Sequence, residues 1–455
     1  FNGGYRMEAS SAMDASSRWK GFPTFGVAWH LGEEEFIKRL GFISLIKIRY
    51  SWGQSGNAPS GTSPYIGTFE AVTPGYGDMN AVKPASPDLT HLKYETITSN
   101  NIGVDFGLFS DKVNFTFELY KKVTDDLLQK KMKVPSSTGL STVAWYNSGK
   151  IQNKGWEFNI DIAAVKTKDW SFNFGFNISQ NKNEILELPE NKNDELYTFG
   201  NKNYAYSVMM GDPLGSFYGY RYKGVYQNVE ETYAVNTSGQ RILDIDGNPV
   251  VMKNGDQKVY PGDARYEDVN GDGVIDENDI VYLGNSNPTL TGGLNFTLRY
   301  KKVSLVAAFH GRAGQKVINQ ARMDMENMRG KNNQSVAVLR RWRSEGDDTD
   351  IPRALYDKGY NYLGSDRFVE DASFLRLKTV TLKYQMPAKW MKAIGVNKLE
   401  LYATGYDMFV WTKYKGQDPE VNLKAANDGT VAQVAIDSNN TPKPFKIAFG
   451  LNLNF

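Results

Sequence analysis

Alternation of apolar and polar residues with a period of two is the feature that most constrains how this chain can fold. In the last ten residues, KIAFGLNLNF, the apolar positions are Ile447, Phe449, Leu451, Leu453 and Phe455. The same alternation recurs at 46–52, 155–164, 170–178 and 294–300. A period of two over about ten residues is typical of a strand with one apolar and one polar face. The sequence therefore predicts a chain built from such strands.

Short and long connections between the predicted strands alternate along the chain. Tight turns are predicted at Ser110–Lys112, Lys166–Asp169 and Lys301–Lys302. A transmembrane barrel has this pattern, because its turns are short on one side of the membrane and long on the other. A soluble sandwich gives no reason for it. The long polar segments lie at roughly 124–154, 181–203, 227–288, 312–366 and 413–443.

These features predict an all-β fold, an antiparallel transmembrane β-barrel with about fourteen strands in this chain. Backbone polar groups must all be paired inside a bilayer, so the strands have to close on themselves. Aromatic residues near strand ends would form interfacial girdles, and the candidates are Tyr218, Tyr220, Tyr222, Trp411 and Phe445. The predicted strands lie near 1–8, 20–31, 43–53, 98–109, 113–123, 155–165, 170–180, 204–210, 215–226, 289–300, 303–311, 367–385, 398–411 and 444–455.

The composition excludes some classes of protein and leaves others open. A net charge of +2 gives no sign of a nucleic-acid partner, and the absence of cysteine excludes disulfides and thiolate metal sites. No apolar run is long enough for a transmembrane helix. A mean hydropathy of −0.49 would also suit a soluble sandwich or β-helix, whereas no repeat of propeller length recurs. The chain starts at Phe1 without a signal peptide, which suggests a processed product or part of a longer protein.

The segment DVNGDGVIDEND (268–279) is the strongest chemical motif in the sequence. Its oxygen donors have the spacing that surrounds a calcium ion, with Gly273 where the loop must turn sharply. The last position holds Asp rather than the usual Glu, and the flanking segments do not look helical. The alternative is a network of Asx turns without metal. The predicted calcium ligands are Asp268, Asn270, Asp272, the Val274 carbonyl, Asp276 and Asp279.

No other site is indicated by a motif. The three histidines, His30, His91 and His310, are scattered, so a zinc site is not predicted. His30 and His310 fall on polar strand faces, which favours structural positions in the barrel lumen. No nucleophile-elbow, zinc-protease or phosphate-loop motif is present, and the chain is predicted not to be an enzyme. The basic segment LRRWR (339–343) would bind an anion or dock the loop that carries it.

Several segments, taken in order, resemble the SusC family of TonB-dependent outer-membrane transporters. The resemblance extends over essentially the whole chain, and its specificity comes from the order of the segments rather than from any one of them. The segments include SSRWKGFP (16–23), LIKIRYSWGQSGN (45–57), GDPLGSFYGY (211–220), PGDARYEDVNGDGVIDENDIVYLGNSNP (261–288), FVEDASFLRLKTVTLKYQMP (368–387) and YKGQDPEVN (414–422).

The resemblance implies a fold and a function. The family's barrel has 22 strands, so residues 1–455 would be its C-terminal part, with about eight strands, the plug and the N-terminal regions elsewhere. It implies a protein of the outer membrane that imports oligosaccharides or oligopeptides together with a SusD-like surface lipoprotein, energised by a TonB complex. The alternatives are a calcium-stabilised, β-rich glycan-binding module, soluble or surface-anchored, and a passive porin. The sequence assigns no substrate-contacting residues.

The strand count also predicts the side of the membrane on which each connection lies. If the last strand ends in the periplasm, as is usual for barrels, the 413–443, 312–366 and 227–288 segments are extracellular. The Asp-rich motif would then lie outside the cell, near the end of a loop predicted to have little core of its own. A cation there would be structural. By the same resemblance, Phe455 is expected to be recognised by the barrel-assembly machinery.

Overall fold

The part of the chain that can be described covers nearly all of the sequence. The computed structural model describes residues 1–61, 63–73, 75, 77, 79–140, 142–188, 197–198, 204–206, 209–357, 360–393, 395–425 and 433–454. Phe455, for which a role in assembly is predicted, lies outside these residues. None of the helices in the described part is long and apolar enough to cross a membrane.

One large antiparallel sheet dominates the fold. Its strands are hydrogen-bonded in the order in which they occur in the chain, and each is paired with the next. This is the up-and-down arrangement expected for a barrel wall. In chain order the strands are β1 (Asn2–Ala9), β2 (Trp19–His30), β3 (Ile43–Asn57), β4 (Glu95–Leu108), β5 (Val113–Asp125), β6 (Lys150–Lys166), β7 (Trp170–Glu187), β8 (Leu290–Tyr300), β9 (Val303–Ala313), β10 (Phe374–Gln385), β11 (Lys398–Thr412) and β12 (Lys446–Asn454).

The register of the sheet sorts its side chains into one apolar and one polar face. Adjacent rows of cross-strand partners differ sharply in polarity, because neighbouring residues of a strand point to opposite faces of the sheet. One row, from β3 to β11, consists of Ile46, Phe106, Phe115, Ile160, Phe176, Leu294, Phe309, Leu377 and Phe409. The next row, from β3 to β10, consists of Lys47, Asp105, Thr116, Asn159, Asn177, Gly293, His310 and Arg376.

The last strand follows the same division. Leu451 is paired with Leu401, and Phe449 with Ala403, which places both on the apolar face. Asn452 is paired with Glu400 on the polar face, and the two side chains lie 3.4 Å apart. The predicted two-faced character of the C-terminal strand is therefore confirmed for residues 446–454.

Two of the predicted strands do not belong to this sheet. The segments near 204–210 and 215–226 contribute short strands to small separate sheets, Ser216–Gly219 with Val281–Asn285 and Tyr222–Val225 with Ala264–Tyr266. All four residues of Ser216–Gly219 are buried, so neither face of this strand meets lipid. The large sheet thus has twelve described strands rather than about fourteen, and a barrel of 22 strands would need about ten others rather than about eight.

The predicted aromatic girdle needs the same correction. Tyr220 and Tyr222 pack against Tyr266 in the loops, with ring centroids 5.6 and 5.9 Å apart, and Tyr218 packs against Tyr282. Trp411 is at the end of β11 and stacks with Phe309 on the apolar face, as predicted. At the opposite end of the sheet, Trp170 and Tyr300 pack 4.3 Å apart.

The connections are short at one end of the sheet and mostly long at the other. The short end has the turns 109–112, 167–169 and 301–302, and two slightly longer segments, 31–42 and 386–397. The other end has the loops 58–94, 126–149, 188–289, 314–373 and 413–445 and the shorter 10–18. The predicted alternation is confirmed. Two of the predicted strands are not part of the large sheet. Because two is an even number, the side of the membrane predicted for each connection is unchanged.

The connections contain only short elements. The helices are Leu31–Glu33, Glu35–Lys38, Ser136–Thr138, Glu230–Thr232, Glu277–Asp279, Gln320–Glu326, Val336–Arg340, Asp366–Phe368 and Ala388–Ala393. The remaining strands are Thr68–Val72, Ala81–Ser86, Leu128–Lys133, Thr142–Asn147, Tyr197–Thr198, Ala205–Tyr206, Lys253–Asn254, Gln257–Lys258, Val274–Ile275, Lys316–Asn319, Val369–Asp371, Leu423–Ala425 and Gln433–Asp437.

The large sheet is not closed by the residues described here. Strand β1 is paired only with β2, and β12 only with β11, so each has one edge without a described partner. An unpaired edge cannot be left in a bilayer, because its backbone groups would have no hydrogen-bond partners. If the sheet belongs to a membrane barrel, as predicted, these twelve strands do not close it by themselves.

Candidate functional site

The polar face of the sheet carries a cluster of charges that spans three strands. Arg49 on β3 forms an ion pair with Asp105 on β4 (3.1 Å) and another with Glu118 on β5. Thr116 donates to Asp105, and Asn101 donates to Glu118. Each charge has an opposite partner or a hydrogen bond, which is how charged groups are accommodated on a partly buried wall. This face has the chemistry of a lumen and not of a lipid contact.

The histidines lie where the sequence predicted but are far apart in the fold. His30 is paired with Lys47, and His310 belongs to the same polar row of residues as Arg376. His91 lies in the 58–94 loop. Structural positions on the polar face are therefore supported for His30 and His310, and the expectation that the chain has no zinc site stays a prediction.

Three of the long loops share one hydrophobic core at the end of the sheet. Phe217 comes from the 188–289 loop, Ile318 and Phe368 from the 314–373 loop, and Val434 from the 413–445 loop. All four are essentially inaccessible to solvent. Burial of apolar side chains from separate segments stabilises their packing. These loops therefore form one folded body, called the loop body below.

The segment that contains the Asp-rich motif supplies all but one of the residues of a second core, and Leu363 of the 314–373 loop completes it. It is formed by Tyr226, Ala234, Met252, Val259, Ala264, Tyr266, Ile275 and Leu363. The prediction that this loop has little core is therefore wrong. The reason is that its apolar residues are spread over short strands and turns, which give no periodic pattern in the sequence.

A buried group of charges connects the loop body to the polar face of the sheet. Arg376 on β10, whose side chain is 3% exposed, forms ion pairs with Asp418 (2.6 Å) and Glu420 (2.8 Å) of the 413–445 loop. Lys443 and Lys378 also reach Glu420, at 2.7 and 3.3 Å. The segment QDPEVN is thereby held against the wall, a contact that the sequence analysis did not predict.

The Asp-rich motif forms a compact loop closed by its own hydrogen bonds. The Asp268 carboxylate accepts from the backbone N–H groups of Gly271 and Gly273, both 2.8 Å away. The Asp279 carboxylate accepts from Val269 and Asp276, so the two ends of the motif are joined. Gly271 and Gly273 have φ values of +71° and +83°, which other residues adopt only with strain. Asx-type turns thus determine the shape of this loop.

Whether these residues fit a cation depends on Asp279. Its side chain is fully buried, no described lysine or arginine forms an ion pair with it, and burial raises its pKa above the ordinary value. A bound cation would favour the ionised form. However, within the described residues no group of three or more His, Asp or Glu side chains is arranged so that it could hold a metal ion. The calcium site stays a prediction.

The basic segment 339–343 is held within the loop body. Arg341 and Arg343 donate to the carbonyl groups of Val338 and Leu339 in their own segment. The Trp342 ring packs on Gly262, where a Cβ atom would lie 2.2 Å from the ring. These contacts favour the interpretation that this segment docks its loop.

The N-terminal half of the chain matches a known protein family. Residues 1–250 match the family described as TonB dependent receptor-like, beta-barrel. The chain belongs to this family. The match covers more than half of the chain and all strands of the sheet from β1 to β7. The match also agrees with the position of the long loops, which lie at one end of the sheet. Proteins of this family lie in the outer membrane.

Curated relatives carry the same family name. TonB-dependent receptor P26 of Formosa agariphila is 31% identical over 464 residues, which are 99% of this chain and 44% of the relative. TonB-dependent receptor SusC of Bacteroides thetaiotaomicron is 27% identical over 99% of this chain and 41% of its own length. The chain thus spans less than half the length of the curated relatives it matches. The resemblance to SusC seen in the sequence is confirmed.

Solved structures agree with the fold. The RagAB peptide transporter has a TM-score of 0.75 at 23% identity, over 98% of this chain and 45% of that chain. The RagAB peptide importer in the closed-closed state has a TM-score of 0.77 at 23% identity, over 100% of this chain and 45% of that chain. At this identity the likeness shows the fold alone.

Membership of the family bears on the alternatives left open by the sequence. A soluble glycan-binding module would bury the apolar face of its sheet, whereas here Phe449 (81%), Phe409 (58%) and Leu451 (56%) are exposed on it. The family match is to a membrane barrel. The relatives are named as receptors and not as enzymes. That residues 1–455 are the C-terminal part of the receptor stays a prediction.

Proposed function

We propose that this chain forms part of the wall of a TonB-dependent importer that takes up a nutrient across the outer membrane. The observation that carries the proposal is the two-faced sheet of a family member, with an apolar face for lipid and a charged face for a lumen. The long loops at one end would meet the substrate first. A TonB complex would act through segments of the protein outside these residues.

Uptake measurements test this proposal. Deleting the gene should abolish uptake of a labelled oligosaccharide or oligopeptide mixture, and reintroducing it should restore uptake. Loss of the TonB-type partner should have the same effect as loss of the gene. Uptake that persists without that partner would contradict active import and support a passive porin.

For the substrate we propose oligosaccharides or oligopeptides. Resemblance to the SusC family supports both classes, and the similar solved proteins are named as peptide importers. The protein should be purified from its native membrane, and bound molecules released by denaturation should be identified by mass spectrometry. Release of glycans or peptides in stoichiometric amounts supports the proposal, whereas release of a metal chelate alone would contradict it.

We propose a SusD-like surface lipoprotein as the partner. The loop body is held together by a shared core, so it offers a pre-formed platform and not a set of independent loops. Large apolar side chains are exposed on it, among them Val336 (82%) and Leu339 (64%). Exposed apolar groups of this kind mark interaction surfaces. Purification in mild detergent should yield the lipoprotein together with this protein; a homogeneous preparation without it, from cells that express both, would count against the partner.

We also propose that the Asp-rich loop binds calcium in a structural role. Support comes from the spacing of Asp268, Asn270, Asp272, Val274, Asp276 and Asp279 and from the burial of the Asp279 carboxyl without an ion-pair partner among the described residues. Calcium, when bound, would neutralise these carboxylates and take part in no reaction. Because the loop has its own core, removing calcium should loosen the 268–279 turn without unfolding residues 227–288.

Calorimetric titration of the full-length protein with CaCl₂ tests this site. Asp268→Asn with Asp272→Asn should abolish binding. Asp244→Asn is the matched control, because Asp244 accepts backbone N–H groups in a neighbouring turn but lies outside the motif. Absence of binding in the unmodified protein would leave the network of Asx turns as the whole explanation.

A further inference from the structure

A small cavity in the loop body lies between two segments of different loops. It has a volume of about 180 Å³ and is lined by residues of 254–263 and of 353–361. Pockets for drug-sized ligands are larger, about 300 Å³ or more, so this cavity suits one small ring. None of its lining residues belongs to the Asp-rich motif or to the polar face of the sheet.

The floor of the cavity is a rigid polar network. Asp263, which is 5% exposed, forms two hydrogen bonds with the Arg353 guanidinium, at 2.7 and 3.2 Å. Asn361 donates to the Asp263 carboxylate and accepts from the Ala264 N–H group. Each of these side chains is fixed by its partners, so polar groups are already in place for a ligand. Because Asp263 and Arg353 neutralise each other, the floor requires neither a cation nor an anion as its ligand. The other charged residue of the lining, Lys258, is exposed to solvent.

Asn254 gives an independent indication of a ligand. Its side chain lines the cavity and is 4% exposed, and its amide oxygen accepts no hydrogen bond from the described residues. Nearly all buried polar groups have a partner, and an unpaired one destabilises the fold. A hydroxyl group is both a donor and an acceptor, so it could pair with either end of the amide.

The walls of the cavity are aromatic. Tyr260 and Tyr360 both line it, and Tyr260 is 56% exposed although its side chain is large and largely apolar. The Arg353 guanidinium lies 5.5 Å from the centre of the Tyr260 ring and supports it from one side. Aromatic faces pack well against flat, apolar C–H surfaces.

We propose that this cavity binds one monosaccharide unit of a glycan. A pyranose ring fits this lining in two ways. Its flat C–H face can pack on a tyrosine, and its closely spaced hydroxyl groups can bond the Asn254 amide and the Arg353–Asp263 pair. Neither contact requires a charge on the ligand. Its size also matches a cavity that holds a single ring. The site concerns binding on the loop body and not import, so it stands or falls independently of the proposed transport.

Saturation-transfer NMR on the full-length protein in detergent tests the site, with D-glucose, D-galactose and D-mannose as probes. Asn254→Leu keeps the volume of the side chain but removes its polar atoms, and Tyr260→Ala removes an exposed ring without disturbing a core. Each should weaken binding of the preferred hexose about tenfold or more, a readily measured change. Tyr356→Ala is the matched control, because Tyr356 is a 63% exposed tyrosine of the other loop that borders the cavity and does not line it.

Three results would overturn the proposal. The first is that none of the three hexoses binds at the highest concentration that can be tested. The second is that binding occurs but is equally strong in Asn254→Leu and Tyr260→Ala. The third is that N-acetylglycinamide, a probe for peptide groups, binds instead of the hexoses and is lost in the same two variants. Limited proteolysis of each variant shows that the loop body is folded.

Discussion

Arg376 shows what a single buried charge does in this molecule. Its guanidinium is almost completely hidden and faces two carboxylates from a loop that is distant in sequence. Removing one partner of such a group leaves the others buried without compensation, which is more damaging than losing an exposed pair. The attachment of the 413–445 loop therefore depends strongly on this residue.

The first prediction concerns this attachment. Arg376→Met should destabilise the docked 413–445 loop by about 3–5 kcal/mol, because Asp418 loses its buried counter-charge and Glu420 keeps only Lys378 and Lys443. Lys378→Met is the control: this side chain is 32% exposed, and its loss should cost about 1 kcal/mol or less. Hydrogen exchange of residues 414–422 measures the difference. Equal protection in the two variants would contradict the role given to Arg376.

The second prediction is that the same attachment weakens in acid. Burial by itself would raise the pKa of Glu420, but Lys443, Lys378 and Arg376 together lower it below the ordinary value. A carboxyl whose folded-state pKa is depressed stabilises the fold fully above its unfolded pKa, about 4.3, and loses this contribution as the pH falls through the folded value. The loop should therefore loosen only below about pH 4.

A spin label can report this loosening. The chain has no cysteine, so Gln417→Cys, on the exposed side of the loop, gives a unique attachment point within these residues. Label mobility should be constant from neutral pH down to the ordinary pKa of a glutamate side chain, about 4.3, and should rise as the pH falls further. A rise that begins near neutral pH would show that another group controls the loop.

At the scale of the strand, the period of two was sufficient to find the wall of the barrel. Segments such as 155–165 and 170–180 lie within β6 and β7, because one face must be apolar and the other polar along the whole strand. The prediction of a wall strand at 215–226 was wrong for a physical reason. The segment YGYRYKGV alternates equally well, but its aromatic residues are buried (Tyr218) or half-buried (Tyr220, Tyr222) within the loop body. Period alone does not distinguish lipid from a protein core.

The third prediction tests the two faces of β12. Leu451→Lys places a charge on the apolar face and should destabilise the barrel by about 2–4 kcal/mol near the membrane midplane. Asn452→Lys should be mild, because position 452 is paired with Glu400 on the polar face. Yield of heat-modifiable, folded protein in the outer membrane measures assembly. Similar yields for the two variants would refute the assignment of faces.

At the scale of the molecule, the sequence predicted the barrel but not the body above it. Phe217, Ile318 and Val434 come from three loops and pack in one core. No local sequence pattern predicts such a contact. The same holds for the cavity around Asn254, whose lining is assembled from two loops. The Asp-rich motif was found because its chemistry lies within twelve consecutive residues.

The central claim is that the loop body lies outside the cell and the tight turns lie in the periplasm. An epitope tag for this test is inserted in the turn Asp246–Gly247, next to the fully exposed Ile245. A second tag is inserted at Lys301–Lys302. Antibody should label the first tag on intact cells and the second only after the outer membrane is permeabilised. Labelling of the 301–302 tag on intact cells, with the 246–247 tag protected, would contradict the topology and the function built on it.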